Sequence, residues 1–182
     1  GELDVMGASL LTTNRVAIGF NHDIAWTHTV STAKRFTLYR LKLNPQNPYE
    51  YFYDGDYRPI EQRSVTVTVL GDDGQLTAEQ HQTYFTHYGP VVESEALAWK
   101  DGIAFAMRDA VIDNYLTAET YDALAKATST ADIEAAISQQ GVYWTNTIAA
   151  DRDGNAFYAD ISGTPNIDAA LLRRCQISLP EA

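Results

Sequence analysis

The sequence predicts an α+β chain that is mostly antiparallel sheet with one helical segment. Valine and threonine alternate over residues 65–69, which puts one row of side chains on each face of a strand. Residues 15–43 have a β-rich composition, and two alanine-rich amphipathic segments follow Leu116. The hairpin turns between the strand signals favour antiparallel pairing.

The composition is that of an ordinary globular domain. Of the 182 residues, 45% are hydrophobic and 20% are charged, and the formal net charge is -11. That charge argues against a nucleic-acid partner, because phosphate binding needs a surplus of lysine and arginine. No stretch approaches the roughly 20 apolar residues of a membrane helix, so no membrane partner is expected. The single cysteine, Cys175, cannot form an internal disulfide.

The first third of the chain is predicted to contain two strands and a long loop. The strands cover 16–20 and 36–43, and Asn21-His22-Asp23 lies between them as a turn signal. Residues 44–59 hold three prolines and four tyrosines around Asp54-Gly55-Asp56. This composition is typical of an ordered surface loop with aromatic anchors.

A β-hairpin is the clearest local prediction. The strand over 63–70 alternates, and Gly71-Asp72-Asp73-Gly74 turns it into a more polar strand that ends near Thr86. Two further short strands, 97–100 and 103–108, are predicted on either side of the Asp101-Gly102 turn.

The last third is predicted to be helical and then a second hairpin. Helices are expected over 117–127 and 130–140, with Thr130 as the cap of the second and Gly141 as its stop. A final hairpin joins 145–150 to 156–161. The sequence shows no repeat and no internal boundary.

Two patterns suggest metal sites but have simpler explanations. His22 and His28 would share a strand face only if no turn came between them, so a shared metal is not expected. Asp151-Arg152-Asp153-Gly154-Asn155 resembles the start of a calcium loop, but its closing glutamate would fall at Ser162. A hairpin turn is the better interpretation.

No nucleophile signature is evident from the residues. The candidate serines, none of which lies in a Gly-x-Ser-x-Gly elbow, are Ser9, Ser31, Ser94 and Ser162. The residues alone therefore indicate a β-rich domain with one helical layer. A non-catalytic extracellular binding module, with the tyrosine-rich segment 49–57 as its contact surface, remains open.

Four segments resemble the β-subunit of the penicillin acylase family, especially its branch of acyl-homoserine lactone and lipopeptide acylases. Residues 1–9, beginning Gly1-Glu2-Leu3-Asp4, and residues 18–30, ending Trp26-Thr27-His28-Thr29-Val30, are similar to its early part. His87-Tyr88-Gly89-Pro90-Val91-Val92 is similar to a His-Gly-Pro-type segment with one residue inserted, and 146–155 to a late hairpin.

The resemblance implies an N-terminal-nucleophile hydrolase with an αββα sandwich. In such enzymes self-cleavage exposes a serine whose own amine is the base. The match implies that residues 1–182 form a single partial domain inside the β-subunit. That serine would precede Gly1, and the asparagine and arginine of the site would follow Ala182. The expected partners are an N-acyl small molecule, the α-subunit and the rest of the β-subunit, in a periplasmic or secreted enzyme without a cofactor.

The resemblance also assigns site residues. In the family, a backbone amide at the end of the segment matching 26–30 donates to the tetrahedral oxyanion, and the matching residue is Val30. We therefore expect the Val30 amide to point into an open pocket rather than into a sheet ladder; the alternative is a core valine at a strand end. The pocket-lining positions correspond to Ile18, Trp144 and Thr145.

No calcium site is expected to carry over. The aspartates that bind calcium in penicillin G acylases correspond to Lys34 and Thr37, and a cation beside Lys34 would be repelled.

Overall fold

The computed structural model describes residues 3–11 and 13–175, and their contacts divide into two compact units. Of the described residues, unit 1 contains those up to Arg35 and Ala110–Pro165, and unit 2 contains Phe36–Asp109 and those from Asn166 to Cys175. The single partial domain expected over 1–182 stays a prediction.

The described residues form twelve strands and three helices. In chain order they are β1 (Val5–Ser9), β2 (Val16–Asn21), β3 (Ile24–Val30), β4 (Phe36–Asn44), β5 (Asn47–Tyr53), β6 (Asp56–Pro59), β7 (Glu61–Leu70), β8 (Leu76–Thr86), β9 (Gly89–Val92), β10 (Ile103–Asp109), α1 (Thr117–Lys126), α2 (Thr130–Ile137), β11 (Trp144–Asp151), β12 (Ala156–Ser162) and α3 (Ala169–Cys175). No helix within 3–11 and 13–175 is long and apolar enough to cross a membrane.

Unit 1 is a five-stranded antiparallel sheet with α1 and α2 packed on one face. The strand order is β1-β2-β3-β11-β12. Trp26 and Ala149 project from the sheet into a core that also contains Leu124, Ile133 and Ile137 from the helices. The strand predicted over 16–20 and the final hairpin are confirmed, and the turn at 21–23 leads from β2 into β3. The strand predicted over 36–43 is confirmed as β4.

The two predicted helices are confirmed, but their ends differ from the prediction. Ser129, not Thr130, caps α2: its side chain accepts from the Asp132 amide, and Asp132 accepts in return from the Ser129 amide. This reciprocal pair is a capping box. Thr130 is the first helical residue, and its hydroxyl donates to Asp151.

Gly141 does not end α2, which stops at Ile137. Gln140, with φ of 57°, is the residue that takes the left-handed conformation after the helix. A Cβ at Gly141 would collide with the Thr120 hydroxyl and with the Leu116 carbonyl. Glycine is thus required here by the close packing of α1, not by a turn.

Unit 2 contains a seven-stranded antiparallel sheet in the order β6-β5-β4-β10-β9-β8-β7. The prediction of a surface loop over 44–59 is wrong, because the segment forms β5 and β6 around a tight turn. Asp54 and Gly55 both have positive φ, as a two-residue hairpin turn requires. Tyrosine favours strands, and Tyr51 is 2% exposed in the core of the unit.

The remaining local predictions have mixed outcomes. The hairpin of β7 and β8 is confirmed over ten residue pairs. The strand predicted over 97–100 is wrong: these residues make a single bridge, Lys100 to Ile103, beside β10. β1, β9 and the short α3 carry no strong periodic signal and were not predicted.

Candidate active site

The candidate site lies at the end of β3, where β2 no longer pairs with it. β2 and β3 pair at Gly19–Trp26 and Phe20–Ala25. Further along, the Ala17 carbonyl accepts the indole N–H of Trp26 at 2.9 Å instead of a backbone amide from β3. The last residues of the strand, toward Val30, therefore have an open edge on their β2 side.

The hydrogen-bond pattern of β3 directs the Val30 amide toward that open edge. Two backbone bonds connect the ends of β3 to the β11 side. The Asp23 carbonyl accepts from the Arg152 amide, and the Ser31 amide donates to the Trp144 carbonyl. The register between them is continuous, with Val30 opposite Thr145. Bonded and non-bonded pairs alternate in antiparallel sheets, so the even-numbered residues between them, Val30 included, turn their amides away from β11.

Polar side chains surround the exposed Val30. Its side chain is 75% exposed, and the Asn146 amide group lies 3.4 Å from its carbonyl. The other end of the Asn146 amide accepts from the Tyr158 hydroxyl at 2.7 Å. The neighbouring Ser31 hydroxyl donates to Asp160 at 3.0 Å. These contacts tie the end of β3 to the final hairpin.

Trp144 stands next to this strand end and is held by an aromatic and cationic cluster. Its ring meets the Tyr143 ring edge-on at 4.7 Å. The Arg35 guanidinium lies 4.9 Å from the centre of the Trp144 ring and 5.2 Å from that of Tyr143. Cation–π contacts of this kind restrict the ring orientation. Trp144 is thereby held as a half-buried ring opposite Ser31, on the sheet face away from the Val30 side chain.

The other two predicted pocket residues, Thr145 and Ile18, lie in different parts of the sheet. Thr145 lies directly opposite Val30 and is buried, and its hydroxyl has no hydrogen-bond partner among the described residues. Ile18 is 39% exposed and shares the open sheet face with Trp144, but β3 runs between their strands. Val30 and Thr145 are therefore direct partners on the helix-packed side of the sheet, whereas Trp144 and Ile18 lie on the opposite face, on strands that β3 separates.

His28 is a half-buried, neutral histidine beneath the site. Its Nδ1 lies 3.0 Å from the Thr147 hydroxyl, and its ring is 6.4 Å from that of Tyr121. Burial lowers the pKa of His28 to about 4, so the ring is uncharged near neutral pH. Its Nε2 is buried without a partner among residues 3–11 and 13–175.

No candidate metal cluster of three or more His, Cys, Asp or Glu residues occurs in the part of the chain that the structure describes. His22 contacts Asp23 and Arg152 at the end of β3 opposite to His28. The absence of calcium at Lys34 and Thr37 stays a prediction.

The Asp151–Asn155 segment is a hairpin turn, as predicted. One Asp151 oxygen accepts from the backbone amides of Asp153 and Asn155, and the Asn155 side chain donates to both oxygens. The bond from the Asn155 side chain has the largest effect, and together these bonds lower the pKa of Asp151 to about 2. Internal donors thus occupy the carboxylate that a calcium loop would turn toward its ion.

The His87–Val92 segment, which resembles a family motif, has a structural setting in unit 2. The Tyr51 hydroxyl and His87 Nδ1 are 2.6 Å apart, and the inserted Tyr88 stacks on Tyr39 at 4.0 Å. Gly89 has φ of 140° and approaches the Met107 carbonyl so closely that a Cβ would collide with it. The segment therefore caps the core of its own sheet.

Asn146, Tyr158 and Arg35 are site residues that sequence reasoning missed. Asn146 lay inside the recognised late hairpin, and its period-two spacing from Trp144 was a signal for a shared face. Tyr158 and Arg35 carry no local signal, because their contacts with the site cross from other segments.

Comparison with known proteins gives a consistent family. The model of the family described as penicillin amidase matches residues 1–178. The acyl-homoserine lactone acylase PvdQ of Pseudomonas putida is 41% identical over the whole chain, which covers 24% of that protein. The aculeacin-A acylase of Actinoplanes utahensis is 37% identical over 96% of the chain, which covers 22% of it.

A solved structure supports the fold. The thermostable penicillin G acylase from Alcaligenes faecalis superposes with a TM-score of 0.74 at 24% identity, covering 88% of this chain and 28% of that one. The chain spans about a quarter of the length of the curated relatives that it matches.

Proposed function

The chain belongs to the penicillin amidase family, and we propose that it is the part of an acylase that supplies one oxyanion donor and one wall of the acyl pocket. The parent enzyme hydrolyses the amide bond of N-acyl substrates. The observation that carries the proposal is the Val30 amide, which the strand pairing leaves unbonded on the β11 side at an exposed strand end.

The chemistry divides between this chain and the rest of the enzyme. A serine outside residues 1–182, activated by its own amine, attacks the amide carbonyl and forms an acyl-enzyme that water then hydrolyses. The Val30 amide donates to the oxyanion of each tetrahedral intermediate. One preorganised donor of this kind contributes about 3 to 4 kcal/mol to lowering the barrier. The side-chain asparagine that completes the hole also comes from outside this chain.

The substrate proposal is an amide between an aliphatic acyl chain and a polar amine. Trp144 offers an apolar ring next to the end of β3, and Ile18 is an exposed aliphatic side chain on the same sheet. Thr145 lies opposite Val30. The two relatives described above are named for acyl-homoserine lactone and aculeacin A, which supports this branch. We place the parent enzyme in the periplasm or outside the cell.

The binding-module alternative is less well supported, although Tyr49 and Tyr57 are exposed. The tyrosine-rich segment that would form its contact surface is two paired strands, and Tyr51 at its centre is buried.

The test is hydrolysis by the complete acylase that contains this chain. We expect it to release fatty acid from N-acyl-homoserine lactones, measured by mass spectrometry across acyl lengths, more efficiently than it releases phenylacetate from penicillin G. The complete enzyme with its N-terminal nucleophilic serine changed to alanine is the control and should be inactive. Absence of hydrolysis of every N-acyl amide would refute the acylase proposal, and a preference for phenylacetyl would refute the aliphatic pocket.

A further inference from the structure

Val30 is the last residue of β3, where β11 supports the strand but β2 does not pair with it. The pairs between β2 and β3 are Gly19–Trp26 and Phe20–Ala25, well before the strand end. The amide and the carbonyl of one extended residue turn to the same edge, so the Val30 carbonyl also points away from β11. The ladder with β11 therefore bonds neither polar group of Val30.

The Asn146 side chain bonds to this carbonyl from the neighbouring strand. Asn146 lies opposite Thr29 in the β3–β11 register, on the sheet face away from α1 and α2. Its Nδ2 donates to the Val30 carbonyl oxygen at 3.4 Å. An oxyanion on the Val30 amide would lie next to this carbonyl oxygen, and a donor on the carbonyl offsets the repulsion between them.

Tyr158 orients the Asn146 amide for this bond. The Tyr158 hydroxyl donates to Asn146 Oδ1 at 2.7 Å. A backbone carbonyl can only accept, so Nδ2 has to face Val30 and Oδ1 has to face Tyr158. The two partners together leave one orientation of the amide group.

The peptide unit between Val30 and Ser31 is held at both ends. On one side the Asn146 Nδ2 donates to its carbonyl, and on the other the Ser31 amide donates to the Trp144 carbonyl at 2.8 Å. The Ser31 hydroxyl adds a bond to Asp160 at 3.0 Å. Rotation of this unit would break its bonds on both sides, so it stays in the extended conformation that directs the Val30 amide to the open edge.

We propose that Asn146 is a positioning residue for the oxyanion donor, and that Tyr158 acts through Asn146. The inference rests on the proposed function, because it takes the Val30 amide as the donor. Asn146 holds the peptide unit next to that donor. Loss of its side chain should therefore weaken binding of the transition state and leave binding of the substrate nearly unchanged.

The first test measures kcat and KM of the complete acylase on an N-acyl-homoserine lactone. We expect Asn146→Ala to lower kcat about tenfold and to change KM by less than about twofold. Tyr158→Phe, a milder change, should lower kcat about threefold and carries the test if thermal unfolding shows that Asn146→Ala does not fold. Tyr115→Phe, at an exposed tyrosine, is the matched control and should keep the wild-type rate. Wild-type kcat in folded Asn146→Ala, or in Tyr158→Phe, would overturn the proposal.

A double-mutant cycle tests whether Tyr158 acts through Asn146. The variant with both Asn146→Ala and Tyr158→Phe should be no slower than Asn146→Ala alone, because the hydroxyl then has no amide to orient. Losses that multiply independently would overturn the role assigned to Tyr158.

An alkylboronic acid gives a readout that a general loss of packing would not produce. The serine oxygen bonds to boron as its proton passes to the terminal amine, and the adduct is a tetrahedral anion that resembles the intermediate. In Asn146→Ala its inhibition constant should rise by the factor by which kcat/KM falls, while the dissociation constant of the fatty-acid product changes by less than about twofold. Equal weakening of both ligands would overturn the positioning role. Absence of hydrolysis by the wild-type enzyme would instead refute the proposed function, and this inference with it.

Discussion

Val30 shows how a residue inside a sheet can keep a backbone amide available for chemistry. The β3–β11 ladder uses the amides of alternate residues, and Val30 is not among them. On the other side, the Trp26 indole occupies the Ala17 carbonyl of β2. The proposed oxyanion donor is thus defined by the parity of the β3–β11 register and by the buried Trp26 side chain, and not by the identity of residue 30.

That account predicts different effects for two substitutions at Val30 in the complete acylase. Val30→Pro removes the N–H and should lower kcat by about 10² to 10³ with little change in KM. Val30→Ala keeps the N–H and should stay near wild type. Steady-state kinetics on an N-acyl-homoserine lactone measure both.

A control separates lost chemistry from lost structure. Ser31→Pro removes the amide that donates to Trp144, so it should lower the unfolding midpoint, whereas Val30→Pro should leave it nearly unchanged. The oxyanion role would be contradicted if Val30→Pro retained wild-type kcat.

His28 predicts a loss of stability in mild acid. Burial lowers its pKa to about 4, against an ordinary value of 6.5. Between these values the unfolded chain binds a proton that the folded chain excludes, so stability falls as pH falls from about 6.5 to about 4. In His28→Gln this part of the pH dependence should disappear, as measured by the thermal unfolding midpoint of the complete enzyme from pH 7 to pH 4.

The unfolding of the wild-type enzyme, measured in parallel over the same pH range, is the reference for this prediction. Identical slopes for His28→Gln and wild type would show that the His28 ring titrates normally.

At the scale of elements, the start of α2 depends on the capping box. The Asp132 carboxylate accepts from the Thr128 and Ser129 amides. These bonds lower the pKa of Asp132, and the bond from the Thr128 amide has the largest effect. The helix carries Ile133 and Ile137 into the core of unit 1. A local cap therefore contributes to the packing behind the candidate site.

Ser129→Ala should destabilise the enzyme by about 1 kcal/mol, because the Asp132 amide loses its acceptor. Chemical denaturation, followed by circular dichroism, measures the difference. Glu134→Gln, an exposed change on the same helix, is the control and should fall within about 0.5 kcal/mol of wild type. A Ser129→Ala variant as stable as wild type would show that the cap carries no net stability.

At the scale of the whole molecule, unit 1 presents an apolar sheet face opposite its helices. The register puts five exposed large side chains on this face: Met6, Ile18, Phe20, Ile148 and Tyr158. Exposed apolar faces of this kind mark contact sites or association. In a layered sandwich such a face packs against a further sheet.

The isolated chain should therefore be inactive and self-associating. It lacks the proposed serine, and losing the nucleophile removes nearly all catalysis in hydrolases of this type. We expect no turnover of a long-chain acyl-homoserine lactone, and oligomers by size-exclusion chromatography with light scattering. Turnover that survives Ser9→Ala, Ser31→Ala and Cys175→Ala would contradict the assignment of the nucleophile to another segment.

Local patterns were sufficient for elements that neighbouring residues specify. Alternation over 65–69 predicted a hairpin strand, and alanine-rich amphipathic runs predicted α1 and α2, because both periodicities are set within a few residues. The motif ending at Val30 also identified the candidate donor from sequence. The same reasoning failed over 44–59, where prolines and an Asp-Gly pair indicated a loop although they form the ends and the turn of a paired hairpin.

The groups that meet at the site come from distant parts of the chain. Strand and helix signals, the family resemblance and the position of Val30 at a strand end could all be derived from the sequence. Whether its amide is bonded depends on the parity of the β3–β11 register and on the Trp26 bond to Ala17. Likewise, Arg35 reaches Trp144, 109 positions away, through folding alone. Such contacts depend on long-range packing, which no local periodicity encodes.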